Sequence, residues 1–126
     1  MMKFLLDTHS LLWTVFEPDK LSTEAQEIIV DHNNIICLSL ISLWEISIKQ
    51  NIGRLDIPKE FFEVVSEGGF EILSLTMDQI KKYRTLPLHH RDPFERMLII
   101  QARQQKLIFI TRDSEISQYD VEIVKA

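Results

Sequence analysis

The sequence predicts a single α/β domain built on a mostly parallel β-sheet of four to five strands. Five short apolar runs alternate along the chain with segments whose apolar residues recur at helical spacing. Most of these runs are continuous rather than alternating, which is typical of strands covered on both faces. The chain has only three glycines, which argues against a fold made of many tight hairpins. Strands that alternate with helices indicate parallel βαβ units with right-handed crossovers.

The predicted strands are spaced so that a helix fits between most of them. They cover residues 3–6, 35–39, 70–75, 107–111 and 121–124. In an open parallel sheet, ligands bind outside the carboxyl ends of the strands. Residues that directly follow the strands are therefore the first candidates for a functional site.

The predicted helices have recognisable starts and stops. They begin at or next to Ser22, Leu40, Pro58, Thr76 and Pro93. Thr76 is a typical N-cap, and Pro93 opens a strong helical pattern that runs to about Gln105. Gly53 follows the second of these helices as a plausible C-terminal stop.

Composition places the chain in the class of small intracellular domains. Its 126 residues fit one domain, residues 1–126, and 45% of them are hydrophobic, enough for a core without crosslinks. The one cysteine, Cys37, lies in an apolar run and is expected to be a core residue. We expect a cytoplasmic protein, because no leader peptide or membrane-length apolar segment is visible.

Three acids are expected at the carboxyl edge of the sheet from their positions in the chain. Asp7 follows the first strand and Asp113 follows the fourth. Glu45 lies in the second turn of the helix after the second strand, in an unusually apolar stretch. Each also has a structural interpretation: Asp7 and Asp113 as helix caps, and Glu45 as an ion-pair partner of Lys49.

Asp92 and Glu95 form a second pair of candidates at the start of one helix. Aspartate at the N-cap, proline at the first helical position and glutamate at the third make an almost ideal helix start. That helix precedes the fourth strand and runs antiparallel to it, so its N-terminus lies at the carboxyl edge beside Asp7. The i,i+3 spacing places both carboxylates on one face.

Five carboxylates at one edge predict a cation site. Carboxylates packed together repel one another and lose solvation, and a divalent cation offsets that cost. Oxygen ligands favour Mg²⁺ or Mn²⁺, and one or two such ions support hydrolysis of a phosphodiester bond. The net charge of −5 comes from 19 acids and 14 bases, so the excess of acids equals the proposed cluster in size.

Other residue types are candidates for supporting roles. Thr8 and Thr111 flank site acids and are expected to hold them in position. A basic run leads into Asp92, and Arg91 and Arg96 within it are candidates for guiding the phosphates of a nucleic-acid substrate. Arg112, beside Asp113, is a third candidate. A solvated surface is an equally good interpretation of the basic run.

Two other acidic α/β folds fit the pattern less well. A phosphoacceptor receiver domain requires adjacent acids after the first strand and an aspartate after the third. A dehalogenase-type phosphatase requires Asp-x-Asp after the first strand, whereas residues 7–9 read DTH. Neither pattern is present.

The chain resembles PIN-domain nucleases, and specifically VapC-like toxins of bacterial toxin–antitoxin pairs. Four segments carry the resemblance in order: residues 4–13 (FLLDTHSLLW), 42–49 (SLWEISIK), 86–96 (LPLHHRDPFER) and 111–113 (TRD). The resemblance implies a three-layer α/β/α sandwich and Mg²⁺- or Mn²⁺-dependent endoribonuclease activity that leaves a 5′-phosphate and a 3′-hydroxyl. It also implies a cognate antitoxin and, often, a homodimer.

The same resemblance ranks the acids. Asp7, Glu45 and Asp113 match the family's acids by position. Where this branch of the family usually has a second aspartate after DPF, the chain has Glu95, so either Asp92 or Glu95 is the remaining ligand. A catalytically silent PIN-fold module that acts only through a partner is the main alternative to a nuclease.

Overall fold

The computed structural model describes residues 2–126 as a five-stranded sheet with helices on both faces. The strands are β1 (Lys3–Leu6), β2 (Ile35–Ser39), β3 (Glu71–Leu73), β4 (Ile108–Thr111) and β5 (Ile123–Lys125). The helices are α1 (Thr8–Phe16), α2 (Thr23–Val30), α3 (Leu40–Asn51), α4 (Phe61–Glu67), α5 (Met77–Tyr83) and α6 (Pro93–Gln105). Short 3₁₀ turns cover Pro18–Lys20 and Ser114–Gln118.

The sheet order is β3-β2-β1-β4-β5, and all four pairs of neighbouring strands are parallel. The chain first adds strands on one side of β1 and then crosses to the other side to add β4 and β5. The carboxyl ends of β1 and β4 therefore form the topological switch point, where ligands bind in open α/β sheets.

Two apolar cores explain why the strands are continuous apolar runs. Along β1, Leu5 packs on one face of the sheet, whereas Phe4 and Leu6 pack on the other. The first core is completed mainly by α6, and the second by α1, α2, α3 and α4. The predicted three-layer α/β/α sandwich is therefore confirmed.

Three of the predicted elements have a boundary that differs from the structure by two residues or more. β3 is shorter than predicted because this edge strand pairs only with β2, over Glu71–Leu73. β5 is shifted towards the end of the chain, since its pairing with β4 begins at Ile123. The helix predicted to begin at Pro58 begins at Phe61, because residues 58–60 form a turn in which the Phe61 N–H donates to the Pro58 carbonyl.

The caps of the other helices follow the sequence pattern. Ser22 and Thr76 accept hydrogen bonds from the first turns of α2 and α5, and Thr76 forms a full capping box with Gln79. Gly53 has φ 75°, the left-handed conformation that ends α3. None of the helices within residues 2–126 has the length and apolar character needed to span a bilayer.

Candidate metal centre

All five candidate carboxylates line one open cavity of about 430 Å³ at the carboxyl edge of the sheet. Its walls are formed by Asp7, Thr8, His9, Trp13, Glu45, Lys49, Asp92, Glu95, Leu98, Arg112 and Asp113. The acids come from the ends of β1 and β4 and from the N-terminal halves of α3 and α6. The topology thus gathers four distant chain segments at the switch point.

Asp7 and Asp113 are both held by local hydrogen bonds. An Asp7 carboxylate oxygen accepts from the Ser10 N–H at 2.8 Å, and Asp113 accepts from the Glu115 N–H at 2.9 Å. The Thr111 hydroxyl accepts from the Asp113 N–H at 3.1 Å. Burial raises the pKa of Asp7, an effect partly offset by hydrogen bonds from Ser10 and Thr111. Both acids therefore cap short helical segments and face the cavity as well.

Glu45 is buried and already has two partners within the protein. The Thr8 hydroxyl donates to one of its oxygens at 2.6 Å, and Lys49 Nζ lies 2.8 Å from the other. The Thr8 hydroxyl also lies 3.1 Å from that of Ser42. Glu45 therefore forms the ion pair with Lys49 that the i,i+4 spacing predicts, and it also lines the cavity.

Asp92 and Glu95 differ sharply in their surroundings. Asp92 is exposed, and one of its oxygens accepts from the N–H groups of Phe94 and Glu95 at 3.0 and 3.2 Å. Burial raises the pKa of Glu95 to about 9, aided by a hydrogen bond to Asp113 and by the charges of Asp113, Asp7 and Asp92. Among the five acids, Glu95 is thus the one whose ionisation is opposed both by burial and by the charges of the other carboxylates.

His90, in the segment that leads into α6, lies next to Glu95. His90 Nε2 lies 3.3 Å from a Glu95 carboxylate oxygen, and its ring nitrogen Nδ1 lies 2.9 Å from the Tyr119 hydroxyl. One ligand atom each from His90, Glu95 and Asp113 lie within 4.8 Å of one another. Tyr119 orients the ring from a distant part of the chain, so no local pattern signalled this arrangement.

The donor atoms of the cavity fit a divalent cation. Asp7, Glu95 and Asp113 offer carboxylate oxygens at the switch point, and burial together with the neighbouring negative charges raises the pKa of Glu95, which favours its protonated form. A cation can replace that proton and compensate the same negative charge, since metal binding and protonation compete for one set of ligands.

Arg96 is a correction to the predicted RNA contacts. Its side chain is buried, and the guanidinium donates to the carbonyl oxygens of Leu86, Pro87 and His90 at 3.1, 2.9 and 3.2 Å. It also donates to the Tyr119 hydroxyl at 3.2 Å. The expectation that Arg96 contacts RNA is therefore wrong, because its donors bind the loop before α6 from inside the protein.

The other two predicted RNA contacts, Arg112 and Arg91, have different surroundings. The Arg112 guanidinium lies over the Trp13 ring, 4.4 Å from its centroid, and donates to the carbonyl oxygens of Ala126 and Lys20. Arg112 thus lines the cavity while it connects three parts of the fold. Arg91 is exposed just before the start of α6. Of the three predicted arginines, it has the surroundings expected of a phosphate contact.

The high pKa of Glu95 predicts how stability depends on pH. The folded, metal-free protein holds a proton that the unfolded chain releases near the ordinary value of 4.5. The unfolded state then binds fewer protons than the native state, so the free energy of unfolding falls as pH rises. We expect this contribution to be complete below pH 4.5 and lost by about pH 9. Urea unfolding in the presence of a chelator measures it.

Glu95→Gln provides the comparison, because glutamine keeps the size of the side chain and does not titrate. Burial raises the pKa of Asp7 too, so the wild-type curve contains more than one contribution. The difference between the wild-type and Glu95→Gln curves isolates Glu95. Parallel curves between pH 5 and 9 would contradict the prediction.

Comparison with known proteins gives a family match and several structural matches. A family model described as PIN domain matches residues 4–122. No curated protein sequence matches the chain. Because the solved structures described next are under 25% identical to the chain, they show its fold and nothing more.

Three structures illustrate the similarity. VapBC2 from Rickettsia felis, bound to a DNA fragment from its promoter, gives a TM-score of 0.74 at 14% identity, covering 98% of both chains. DNA-bound VapBC from Salmonella typhimurium gives 0.70 at 18% identity, also covering 98% of both. VapBC-5 from Mycobacterium tuberculosis, described as a member of the VapBC family of toxin–antitoxin systems, gives 0.65 at 17% identity with complete coverage of both.

Proposed function

Since the chain belongs to the PIN domain family, we propose that it is a metal-dependent endoribonuclease, the toxin of a toxin–antitoxin pair. The observation that carries this proposal is the convergence of five carboxylates from four chain segments on one open cavity. The raised pKa of Glu95 supports it, because it reflects burial of the carboxyl group and, beside it, negative charge that a cation would balance.

We assign different roles to the five acids. Asp7, Glu95 and Asp113 hold Mg²⁺ or Mn²⁺, in one or two ions. Such ions, when bound, activate water for attack on phosphorus and stabilise the leaving oxygen. Glu45, whose oxygens are engaged by Thr8 and Lys49, orients water rather than binding the cation directly.

Asp92 has a different part in the proposal. Its hydrogen bonds fix the first turn of α6, which carries Glu95 into the cavity. Its exposed position at the rim leaves its second oxygen to face water or substrate. The pKa of Glu95 and its closeness to Asp113 favour Glu95 over Asp92 as the remaining ligand.

RNA is the proposed substrate, cut by water to leave a 5′-phosphate and a 3′-hydroxyl. The cavity is open, so an extended backbone has access to the carboxyl edge. Exposed Arg91, next to Asp92, is positioned to contact a neighbouring phosphate.

The proposed partner is a small antitoxin encoded with the toxin, and the proposed location is the cytoplasm. The structural similarity to chains from VapBC complexes supports an antitoxin partner. Large apolar side chains remain exposed on α3 and α5, including Trp44 at 59% and Met77 at 78%. These favour a homodimer or antitoxin contact, and sedimentation of the isolated chain tests the dimer.

The experiment that tests the activity compares metal-free and metal-loaded protein on mixed RNA. Purified chain freed of any antitoxin is treated with a chelator, dialysed, and incubated with RNA in the presence of Mn²⁺ or Mg²⁺. We expect fragments with 5′-phosphates to appear only when metal is added. Capture of those ends by a ligase that requires a 5′-phosphate gives the readout.

The competing hypothesis is a catalytically silent binding module of the same fold. It predicts no metal-dependent cleavage above that of an Asp7→Asn variant, even at high protein concentration. Equal cleavage by the two proteins would refute the nuclease proposal. Cleavage by wild type that a chelator abolishes would refute the silent module.

A further inference from the structure

We propose that His90 is a metal ligand, so that the cation site combines imidazole nitrogen with carboxylate oxygen and prefers divalent transition-metal ions over Mg²⁺. The inference deepens the proposed function and rests on it. It goes beyond the carboxylate site by assigning the role of a metal ligand to Nε2 of His90.

The position of His90 Nε2 is the first observation behind this proposal. The His90 side chain is only 6% exposed, and Nε2 is a buried polar atom with no hydrogen-bond partner. A buried polar atom without a partner costs free energy, so it calls for a ligand or an explanation. The atom lies 3.3 Å from a Glu95 carboxylate oxygen, and His90, Glu95 and Asp113 each offer one ligand atom within 4.8 Å of the others.

The second observation is the contact on the other side of the ring. His90 Nδ1 lies 2.9 Å from the Tyr119 hydroxyl. Histidine ligands characteristically donate their second ring N–H to an oxygen atom, which fixes the tautomer and orients the lone pair. In the tautomer that carries its proton on Nδ1, the ring presents the Nε2 lone pair to Glu95 and Asp113. Tyr119 is itself anchored by the buried guanidinium of Arg96.

An ion pair between His90 and Glu95 is the obvious alternative explanation. Their closest nitrogen and oxygen atoms are 3.3 Å apart. A protonated Nε2 at that distance is expected to donate to the carboxylate, yet the geometry gives Nε2 no hydrogen bond. A nitrogen that shares a cation with the carboxylate accounts better for an orientation without a direct hydrogen bond.

The ligand type determines the expected metal preference. Mg²⁺ strongly favours oxygen ligands and parts reluctantly with water. Imidazole nitrogen raises affinity for transition-metal ions, in increasing order from Mn²⁺ towards Cu²⁺. His90 should therefore increase the ratio of Mn²⁺ to Mg²⁺ affinity while the carboxylates support both ions.

The direct test is pulsed electron paramagnetic resonance of the metal-free chain reloaded with Mn²⁺. A ligating histidine gives a ¹⁴N modulation of the electron spin echo, and ¹⁵N labelling of histidine changes its frequency. We expect the ¹⁴N signal in the wild type and its loss in His90→Gln. By calorimetry, we expect His90→Gln to weaken Mn²⁺ binding by about 10- to 100-fold, the range typical when groups that support a metal are removed. Mg²⁺ affinity should change much less.

Two matched variants control for the other histidines nearby. His9→Gln removes an exposed ring that also lines the cavity. His89→Gln removes the adjacent ring, which is exposed and packs against Tyr119 with ring centroids 4.7 Å apart. Both variants should retain the ¹⁴N signal and the Mn²⁺ affinity of the wild type.

The outcomes separate this inference from the proposed function. Tight Mn²⁺ binding without a ¹⁴N signal in the wild type overturns the role of His90 and leaves the nuclease proposal standing. Loss of the signal in His9→Gln instead of His90→Gln also overturns it. Equal loss of Mn²⁺ and Mg²⁺ affinity in His90→Gln would show a purely structural role. Failure of the wild type to bind either ion would refute both proposals. The wild-type spectrum decides the point even if His90→Gln folds poorly.

Discussion

Replacement of Asp7 by asparagine is expected to reduce RNA cleavage by at least about 100-fold, the scale on which loss of one preorganised electrostatic group lowers turnover. We expect Mn²⁺ to raise the thermal stability of the wild type, because a ligand that binds the native state stabilises it, and the same substitution should abolish that increase. Both effects follow from removing a buried charge at the switch point.

Without metal, Asp7→Asn should not lower the stability of the protein. Burial raises the pKa of Asp7, which means that its ionised form destabilises the empty site. Asparagine is neutral and caps a helix about as well as aspartate, so the hydrogen bond from Ser10 is retained. We therefore expect Asp7→Asn to be at least as stable as the wild type in a chelator. Scanning calorimetry with and without Mn²⁺ measures both effects.

Asp31→Asn is the matched control for Asp7→Asn. Asp31 is exposed and also accepts a hydrogen bond from a nearby backbone N–H, that of Asn33 at 2.9 Å, but it does not line the cavity. Cleavage and metal stabilisation should match the wild type. An Asp7→Asn protein that cleaves RNA normally, or is stabilised by Mn²⁺ as much as the wild type, would contradict the assignment of Asp7.

Arg96→Met is expected to lower the free energy of unfolding by roughly 3–5 kcal/mol, because two buried and two partly buried acceptors lose their donor, at about 1–3 kcal/mol for each buried one. The carbonyl oxygens of Leu86, Pro87 and His90 would be left with no donor from this side chain. Arg96→Lys should rescue little, because an ammonium group cannot reproduce the planar fork of donors. Denaturant unfolding measures the change.

Arg103→Met, on the exposed face of the same helix, is the control for lost charge. It should change stability by no more than about 1 kcal/mol, the scale of a cation near a helix C-terminus. If Arg96→Met were as mild, the guanidinium would not be organising the loop before α6. That result would also reopen the case for Arg96 as an RNA contact.

Much of the fold was predictable from the sequence because buried parallel strands have a simple signature. The bounds of β1 and β2 agree with their apolar runs, since both strands are covered on each face. Edge strands were harder to delimit, because β3 and β5 each have one neighbour and end where that pairing ends. Apolar residues also lie just beyond the paired parts of β3 and β5, so the sequence does not mark where these two strands end.

The candidate site was predictable to the extent that topology alone positions its residues. Asp7 and Asp113 follow adjacent parallel strands, and α6, which runs antiparallel to β4 and leads into it, must begin at the same edge. The roles of Arg96 and His90 were not predictable, because both depend on Tyr119, which is remote in sequence. The sequence of the basic run does not indicate which of its side chains are buried and bind loop carbonyl oxygens or the Tyr119 hydroxyl.

The pairing of β1 with β4 has a consequence for the synthesis of the protein. Phe4 at the start of the chain pairs with Ile108 near its end, so the first-made strand waits for one of the last. While a ribosome still holds the C-terminal segment, Asp7 has neither β4 beside it nor Asp113 across the cavity. The proposed metal centre therefore cannot assemble until β4 has been made and has paired with β1.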